Sequence, residues 1–283
     1  MSAKLKRATI LTIVAVLLPL SLFAASGKGH EGIVAMSYNI RNSESQDGTN
    51  SWQHRYPASA LMIDDIKPDV IGIQEALSDQ VEYFRAVMDK NYKIIGVGRD
   101  DGKKAGEMSA IMYDSKIVSL VKWGTFWLSD QPDVPGPGWD ASTSRSVTWA
   151  SMKDKATGNK FLFVCVRMDG DGVDAPKNGI KLLADKLTEL NPEGVPVILA
   201  GDLNLSLTDA AFAPLKAVLN DARTTAVVTD DHPSFNGWGK LSKTVDYLLY
   251  KGFSCIKFET VTKAYYERNF ISDHYPLVGT FVF

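Results

Sequence analysis

The sequence predicts an α/β fold in which two β-sheets pack face to face between helices. Three observations lead there. Short apolar runs recur along the whole chain with turn residues between them. Several of these runs are apolar at consecutive positions, so they are expected to be buried on both faces. Only a few segments show helical periodicity.

In chain order, strands are expected over residues 33–40, 70–74, 92–97, 109–113, 147–152, 161–168, 195–200, 245–250, 254–262 and 277–283. Each is a run of Val, Ile, Leu, Phe or Tyr bounded by Gly, Pro, Asn, Asp or Ser. Helices are expected over 56–66, 79–88, 176–190 and 210–219. In the third, Ile180, Leu183, Leu187 and Leu190 recur on one face, Asp174 is placed to cap the start, and Pro176 lies near the first turn. Residues 131–139 are rich in Pro and Gly and form a long loop. No repeat, heptad or low-complexity stretch interrupts the pattern, so one domain with a substantial core is expected over residues 27–283.

The first residues read as an address. Lys4, Lys6 and Arg7 precede a nearly continuous apolar run, residues 8–23, that is short and broken by Pro19. Ala24-Ala25-Ser26 then offers the small residues a signal peptidase reads. Residues 1–26 are expected to be a cleaved signal peptide, with a single membrane anchor as the alternative. The mature chain is then periplasmic or extracellular, with no stable membrane insertion. Cleavage removes three of 31 basic side chains and none of 33 acidic ones, moving the formal charge from −2 to about −5. That balance argues against a nucleic acid as partner, because phosphate contacts need a basic face. Cys165 and Cys255 both lie in apolar runs and read as buried free thiols, although pairing is possible in an exported chain. No protein partner is indicated.

The chemistry concentrates at strand ends. Gly201-Asp202-Leu203-Asn204 follows one apolar run, and Ser272-Asp273-His274 precedes the last. Asn39 ends the first strand, Glu75 ends the second, and Asp246 sits in Val245-Asp246-Tyr247. A hard cation takes oxygen ligands and keeps several waters, so one or two carboxylates and an Asn suffice to hold it. A carboxylate can also take a proton from water, and an Asp–His pair can orient an imidazole. Each residue alone has a plainer reading. Asn39 can cap a turn, Glu75 can cap the following helix, Asp246 can cap a strand end, and His274 can simply satisfy Asp246.

Read as a set, these strings resemble the endonuclease/exonuclease/phosphatase superfamily in order and spacing, and in particular its exported bacterial branch. The shared strings are Ser37-Tyr38-Asn39-Ile40-Arg41, Gly72-Ile73-Gln74-Glu75-Ala76, Gly201-Asp202-Leu203-Asn204, Val245-Asp246-Tyr247 and Ser272-Asp273-His274. Further similar segments span 47–52, 96–102, 124–129, 138–140 and 145–149, so the likeness covers residues 33–283. It implies a four-layer α/β/β/α sandwich of two mixed sheets flanked by helices, with the site at one end. It also implies Mg²⁺, or Mn²⁺, surrounded by Asn39, Glu75 and Asp273. In that scheme Asp202 positions or deprotonates the attacking water, Asn204 donates to the phosphate, and His274, oriented by Asp246, stabilises charge on it. Arg145 is a candidate phosphate contact, as is Arg41, which can equally pair with the acids. Trp52, Trp139 and Trp238 are candidates for a substrate rim or plain packing, and His54 and His232 read as surface residues.

One segment departs from this pattern. The family usually ends the strand at 161–168 with Asn-Thr-His-Leu-Asp, and here the stretch is Cys165-Val166-Arg167-Met168-Asp169. Pro176 and Lys177 stand where an Arg commonly begins the next helix. An imidazole can give up a proton near neutrality, whereas a guanidinium only donates hydrogen bonds. Arg167 is therefore a candidate phosphate clamp that cannot act as an acid. Two readings follow. One is an exported, Mg²⁺-dependent phosphoesterase acting on a phosphodiester or phosphomonoester of unknown type. The other is a weakly active or inactive relative that binds a phosphorylated or glycan ligand.

Overall fold

The computed structural model describes residues 32–283, so the expected signal peptide lies outside the described residues. Among the described residues no helix is long and apolar enough to cross a membrane. Strand β1 (Ile33–Asn39), helix α1 (Trp52–Ile66), β2 (Val70–Ala76), α2 (Ser78–Val87), β3 (Tyr92–Ile95) and β4 (Met108–Asp114) open the fold. There follow β5 (Val118–Trp127), β6 (Ser146–Asp154), β7 (Lys160–Arg167), α3 (Asp174–Leu190), β8 (Val197–Asp202) and the single turn α4 (Ala213–Lys216). Then come β9 (Asn220–Asp221), α5 (Ala222–Thr225), β10 (Asp246–Lys251), β11 (Ser254–Thr260) and β12 (Leu277–Val282).

The strands form two six-stranded mixed sheets, ordered β11-β12-β1-β2-β4-β3 and β5-β6-β7-β8-β10-β9. A central core lies between them, with Phe161, Phe163, Leu248 and Phe281 fully buried or nearly so. An outer cluster under α1 and α2 and another under α3 complete the four layers. The expected sandwich is therefore present.

The sheets approach closely at Gly72, three residues before Glu75. A Cβ added to Gly72 would lie 2.7 Å from the Ala200 Cβ and 3.2 Å from the Cys165 Sγ. Cys165 thus fills a gap that admits only small side chains, and overpacking there costs about 1–3 kcal/mol. Both cysteines are free and buried, and burial pushes the Cys165 thiol up to about 12.

Several boundaries differ from the expected ones for identifiable reasons. Strand β5 was not expected, because a bulge between Leu120 and Lys122 breaks its alternation and leaves its middle residues exposed. The helix expected at 210–219 is a 3₁₀ turn, Ala210–Phe212, followed by α4, with Pro214 in the first turn of the latter. Helix α1 starts at Trp52, ahead of Pro57, which sits inside it. Asp174 does not cap α3. Asp140 does so from the preceding loop, its carboxylate accepting from the backbone N–H groups of Val173, Asp174 and Ala175 at 2.7–3.1 Å.

Candidate functional site

Sheet polarity brings the strand-end residues together. Parallel β1 and β2 deliver Asn39 and Glu75 to one end of their sheet, and parallel β7 and β8 deliver Arg167 and Asp202 to the corresponding end of the other. Strands β10 and β12 run antiparallel to their neighbours, so Asp246 at the start of β10 and His274 just before β12 arrive at the same end. Asp246 pairs directly with Asp202. Glu75 is aimed by a bulge: the β2–β4 register shifts between Ile73 and Ala76, and Glu75 takes φ 63°. Left-handed backbone at a non-glycine residue costs on the order of 1–3 kcal/mol and clusters at functional sites.

The polar groups interlock. The Asn39 amide donates to Glu75 Oε1 and Asp202 Oδ2, both at 3.0 Å, while its Oδ1 accepts from the Arg41 N–H at 3.0 Å. Asp202 Oδ1 accepts from the Asn204 N–H at 3.1 Å. Asp246 Oδ2 lies 2.7 Å from His274 Nδ1, and its other oxygen is buried without a partner. Arg167 reaches across from the second sheet. Its Nη2 lies 2.8 Å from Glu75 Oε1, its Nη1 3.6 Å from Glu107, and its Nε 3.5 Å from Asp202 Oδ2. The last contact is within ion-pair range but not aligned as a hydrogen bond, so the Nε proton remains unpartnered.

These contacts set the charges. Burial raises Glu75, but the Arg167 guanidinium and His274 outweigh it and hold the carboxylate at about 2. Burial opposes a charged His274, yet Asp246, by charge and hydrogen bond, and then Asp202 lift the imidazole to about 10. Burial and the neighbouring Asp246 raise Asp202 to about 6. Burial raises Asp273 as well. Burial disfavours the charge of Arg167, but Glu75, Asp202 and Glu107 more than compensate, so it stays protonated at any working pH.

The His274 shift has a sign that can be tested. A base lifted from 6.5 to about 10 contributes stability that is fully present below pH 6.5 and is lost as pH rises through about 10. Chemical denaturation should therefore show the protein weakening between pH 7 and 10.5. Asp246→Asn should flatten that slope, and an unchanged slope in the variant would show that the pair is not the cause.

The other expected residues differ in where they fall. Asp273 is buried beside the cluster, 3.7 Å from Arg41. Asn204 holds a left-handed backbone, φ 51°, and its amide donates to the Met168 carbonyl at 2.9 Å. Arg145 forms a buried ion pair with Asp169, through Nε at 3.1 Å and Nη2 at 2.9 Å, while its Nη1 is unpartnered. Arg41 pairs with Asp47, in line with the internal ion-pair reading. Trp52 packs in the core, Trp139 is half-buried against the outer cluster, and Trp238 stacks near Arg55 at 5.4 Å. His54 and His232 are exposed.

Only part of the divergent segment reaches the site. Val166 points into the outer cluster under α3 and Cys165 into the gap between the sheets, leaving Arg167 as the member that faces the acids. Asn42, Arg99 and Glu107 went unnoticed in sequence. Asn42 touches Glu75 Oε2 at 3.3 Å and Glu107 at 2.9 Å, and Arg99 pairs with Glu107. Arg99 lies in the family-like segment 96–102, whereas the only sequence signal of the other two is position, Asn42 soon after one strand mouth and Glu107 just before β4.

The donor set fits a hard divalent cation. Glu75, Asp202 and His274 each offer one ligand atom within 4.8 Å of the others, but a protonated imidazole has no lone pair to give. Oxygen atoms with spare lone pairs remain at the same mouth. Glu75 Oε2 has only long contacts to Asn42, Asp273 Oδ2 has one long contact to Arg41, and Asn39 Oδ1 keeps a second lone pair.

This fold and this strand-mouth cluster of acids, amide and imidazole define a phosphoesterase-type scaffold. The chain belongs to the endonuclease/exonuclease/phosphatase family, which it matches over residues 36–274. It is 33% identical to a mannosyl-6-phosphatase of Bacteroides thetaiotaomicron VPI-5482, with 89% of this chain and 100% of that one aligned at a TM-score of 0.83. It is 32% identical to an endonuclease/exonuclease/phosphatase of Bacteroides vulgatus, covering 88% and 98% of the two chains at a TM-score of 0.82. An uncharacterised protein of Acanthamoeba polyphaga mimivirus is 25% identical over 259 residues, 81% of this chain and 92% of its own length.

Proposed function

We propose that this chain hydrolyses a phosphate monoester carried by a sugar, with a divalent cation, Mg²⁺ or Mn²⁺, held by Glu75 together with Asn39 and Asp273. The observation that carries the reading is the meeting of Asp202, the Asp246–His274 pair and Glu75 at one strand mouth. The similarity to the Bacteroides phosphatase supports a sugar phosphate as substrate.

A divalent cation held by Glu75, Asn39 and Asp273 would offset charge on the phosphoryl oxygens and lower the pKa of a nearby water. Asp202 is ionised above about pH 6 and is fixed by the Asn39 amide and the Asn204 N–H, so it accepts the proton of the attacking water. As the water oxygen bonds to phosphorus the P–O bond to the sugar breaks, and the departing sugar oxygen takes its proton from solvent water. His274, held by Asp246 through Nδ1, presents Nε2–H to a phosphoryl oxygen. Arg167 Nε and Arg145 Nη1, both buried donors without partners, supply further hydrogen bonds to the phosphate. Asn204 joins them if its amide turns from the Met168 carbonyl. Export through the N-terminal leader is part of the same proposal, and a phosphorylated glycan outside the cytoplasm is its natural partner.

A second reading has its own supporting observation. The Arg167 guanidinium lies 2.8 Å from Glu75, beside the proposed cation position, which favours a relative that binds its ligand without turning it over. Hydrolysis of a panel of sugar monophosphates and phosphodiesters, followed as free phosphate from the former and as monoester plus alcohol from the latter, separates the two. Release of phosphate from monophosphates with Mg²⁺ or Mn²⁺ is expected, abolished by a chelator and restored by added metal. A folded protein that hydrolyses no member, with or without metal, would favour the second reading.

A further inference from the structure

A cleft of about 680 Å³ opens between the start of α1 and the loop that precedes Asp273. One wall carries Asn50, Gln53 and Tyr56, and the other Tyr266, Arg268 and Asn269. The side-chain amides of Asn50, Gln53 and Asn269, and the hydroxyls of Tyr56 and Tyr266, make no hydrogen bond among the described residues. Tyr266 is 67% exposed and Tyr56 37%.

The backbone under Tyr266 is strained to hold it there. Tyr265 and Arg268 exchange both backbone hydrogen bonds, at 3.1 and 2.9 Å, closing a two-residue turn in which Tyr266 and Glu267 have φ 50° and 60°. Such turns ordinarily take Asn-Gly, because both central residues must be left-handed. A Tyr-Glu pair there is strained, and the exposed Tyr266 adds no core packing, the pattern expected of a functional position.

The cleft is tied to the catalytic end by one side chain. Arg55 is fully buried and donates to the carbonyls of Asn50, Ile40, Arg41 and Ile271 at 2.6–3.0 Å. It therefore fixes a cleft wall to residues within two positions of Asn39 and Asp273.

The chemistry of the lining selects the ligand class. The cleft has one Arg, already donating to the Thr49 carbonyl, and one Glu, so it offers no basic track for a nucleic-acid backbone. Its lining is too polar for an acyl chain. Planar amides both donate and accept, as paired hydroxyls require, and exposed tyrosine rings offer an apolar face with a polar tip to the C–H face of a pyranose. We propose that this cleft is a carbohydrate subsite that seats the neutral sugar rings of an oligosaccharide whose phosphorylated residue reaches Asp202. This rests on the phosphatase reading for the phosphate, but binding of the neutral sugar stands independently of it.

The test uses neutral trisaccharides of mannose, glucose and galactose as probes, followed by saturation-transfer NMR and titration. At least one should bind the native protein. Tyr266→Ala and Asn269→Ala should each weaken it about tenfold or more. Tyr266→Gly, which relieves the turn strain, should keep the fold and lose the sugar equally. With a phosphorylated oligosaccharide these variants should raise KM and leave kcat, while kcat/KM for an aryl phosphate stays unchanged. Binding of none of the three sugars, or equal losses on both substrates, overturns the subsite. Sugar binding without any phosphate release would leave the subsite standing and overturn the catalytic reading instead.

Discussion

Asp202→Ala is expected to lower kcat by about 10²- to 10⁴-fold, the range ascribed to a positioned general base, and to leave the protein folded. Asp202 is fully buried and held by two donors, yet its acidity is weakened to about 6 by burial and by Asp246. A group kept in that state contributes little to folding at neutral pH. Between its ordinary 3.8 and about 6 the folded protein holds a proton that the unfolded chain has released, so this carboxylate becomes a growing burden as pH rises through that window. Thermal denaturation of the variant should match or exceed that of the native protein, while phosphate release collapses. Asp202→Asn keeps the shape and removes the base, and should lose rate comparably. A rate within tenfold of native in both folded variants would mean that the water is activated elsewhere.

Arg167→His is expected to tighten divalent-cation binding on the order of tenfold or more, and to raise KM for the phosphoester. A fixed positive charge lies 2.8 Å from a Glu75 oxygen and within reach of Asp202 and Glu107, so it competes electrostatically with any dication on Glu75. At an effective dielectric near 20, repulsion between these charges a few ångströms apart amounts to several kcal/mol before solvent screening. The Arg167 side chain is 21% exposed, so a fraction of that remains, which is the basis for the tenfold figure. Calorimetric titration of Mg²⁺ and Mn²⁺ into native and variant protein reads this without any reliance on turnover. The KM increase reports the separate loss of a guanidinium donor to phosphate. Equal metal affinities in the two proteins would show that the guanidinium leaves Glu75 in solution and exerts no competition.

The sequence made the scaffold legible because its chemistry sits at strand ends, where an apolar run stops at a short polar side chain. Asn39, Asp202, Asp246 and His274 were visible for that reason, and the structure brings them to one mouth. Glu75 was visible as a strand end, but not the bulge that aims it, because a left-handed glutamate leaves no trace in hydropathy. The reach of Arg167 across the sandwich to Glu75 and Glu107 is a contact between sheets, which no local pattern encodes. Arg145 was legible only as a candidate phosphate contact, and its buried ion pair with Asp169 became evident in three dimensions. Asp140 stood in a family-like string, residues 138–140, but its capping of α3 from 33–35 residues away leaves no local signal. Strand β5 escaped because a bulge and an exposed, lysine-bearing centre hide its period. Local order is read from periodicity, whereas site electrostatics depend on partners distant in sequence.

A hydrolytic cation site on Glu75 has to operate despite the guanidinium beside it. The most direct measurement is anomalous diffraction from crystals of residues 27–283 grown with Mn²⁺ and a non-hydrolysable sugar phosphonate. The expected result is one manganese peak directly beside the Glu75 carboxylate, Asp273 and Asn39, with the phosphonate between it and His274 and with Arg167 turned towards the phosphonate oxygens. A map in which Arg167 remains on Glu75, with no manganese peak at the strand mouth, would contradict it.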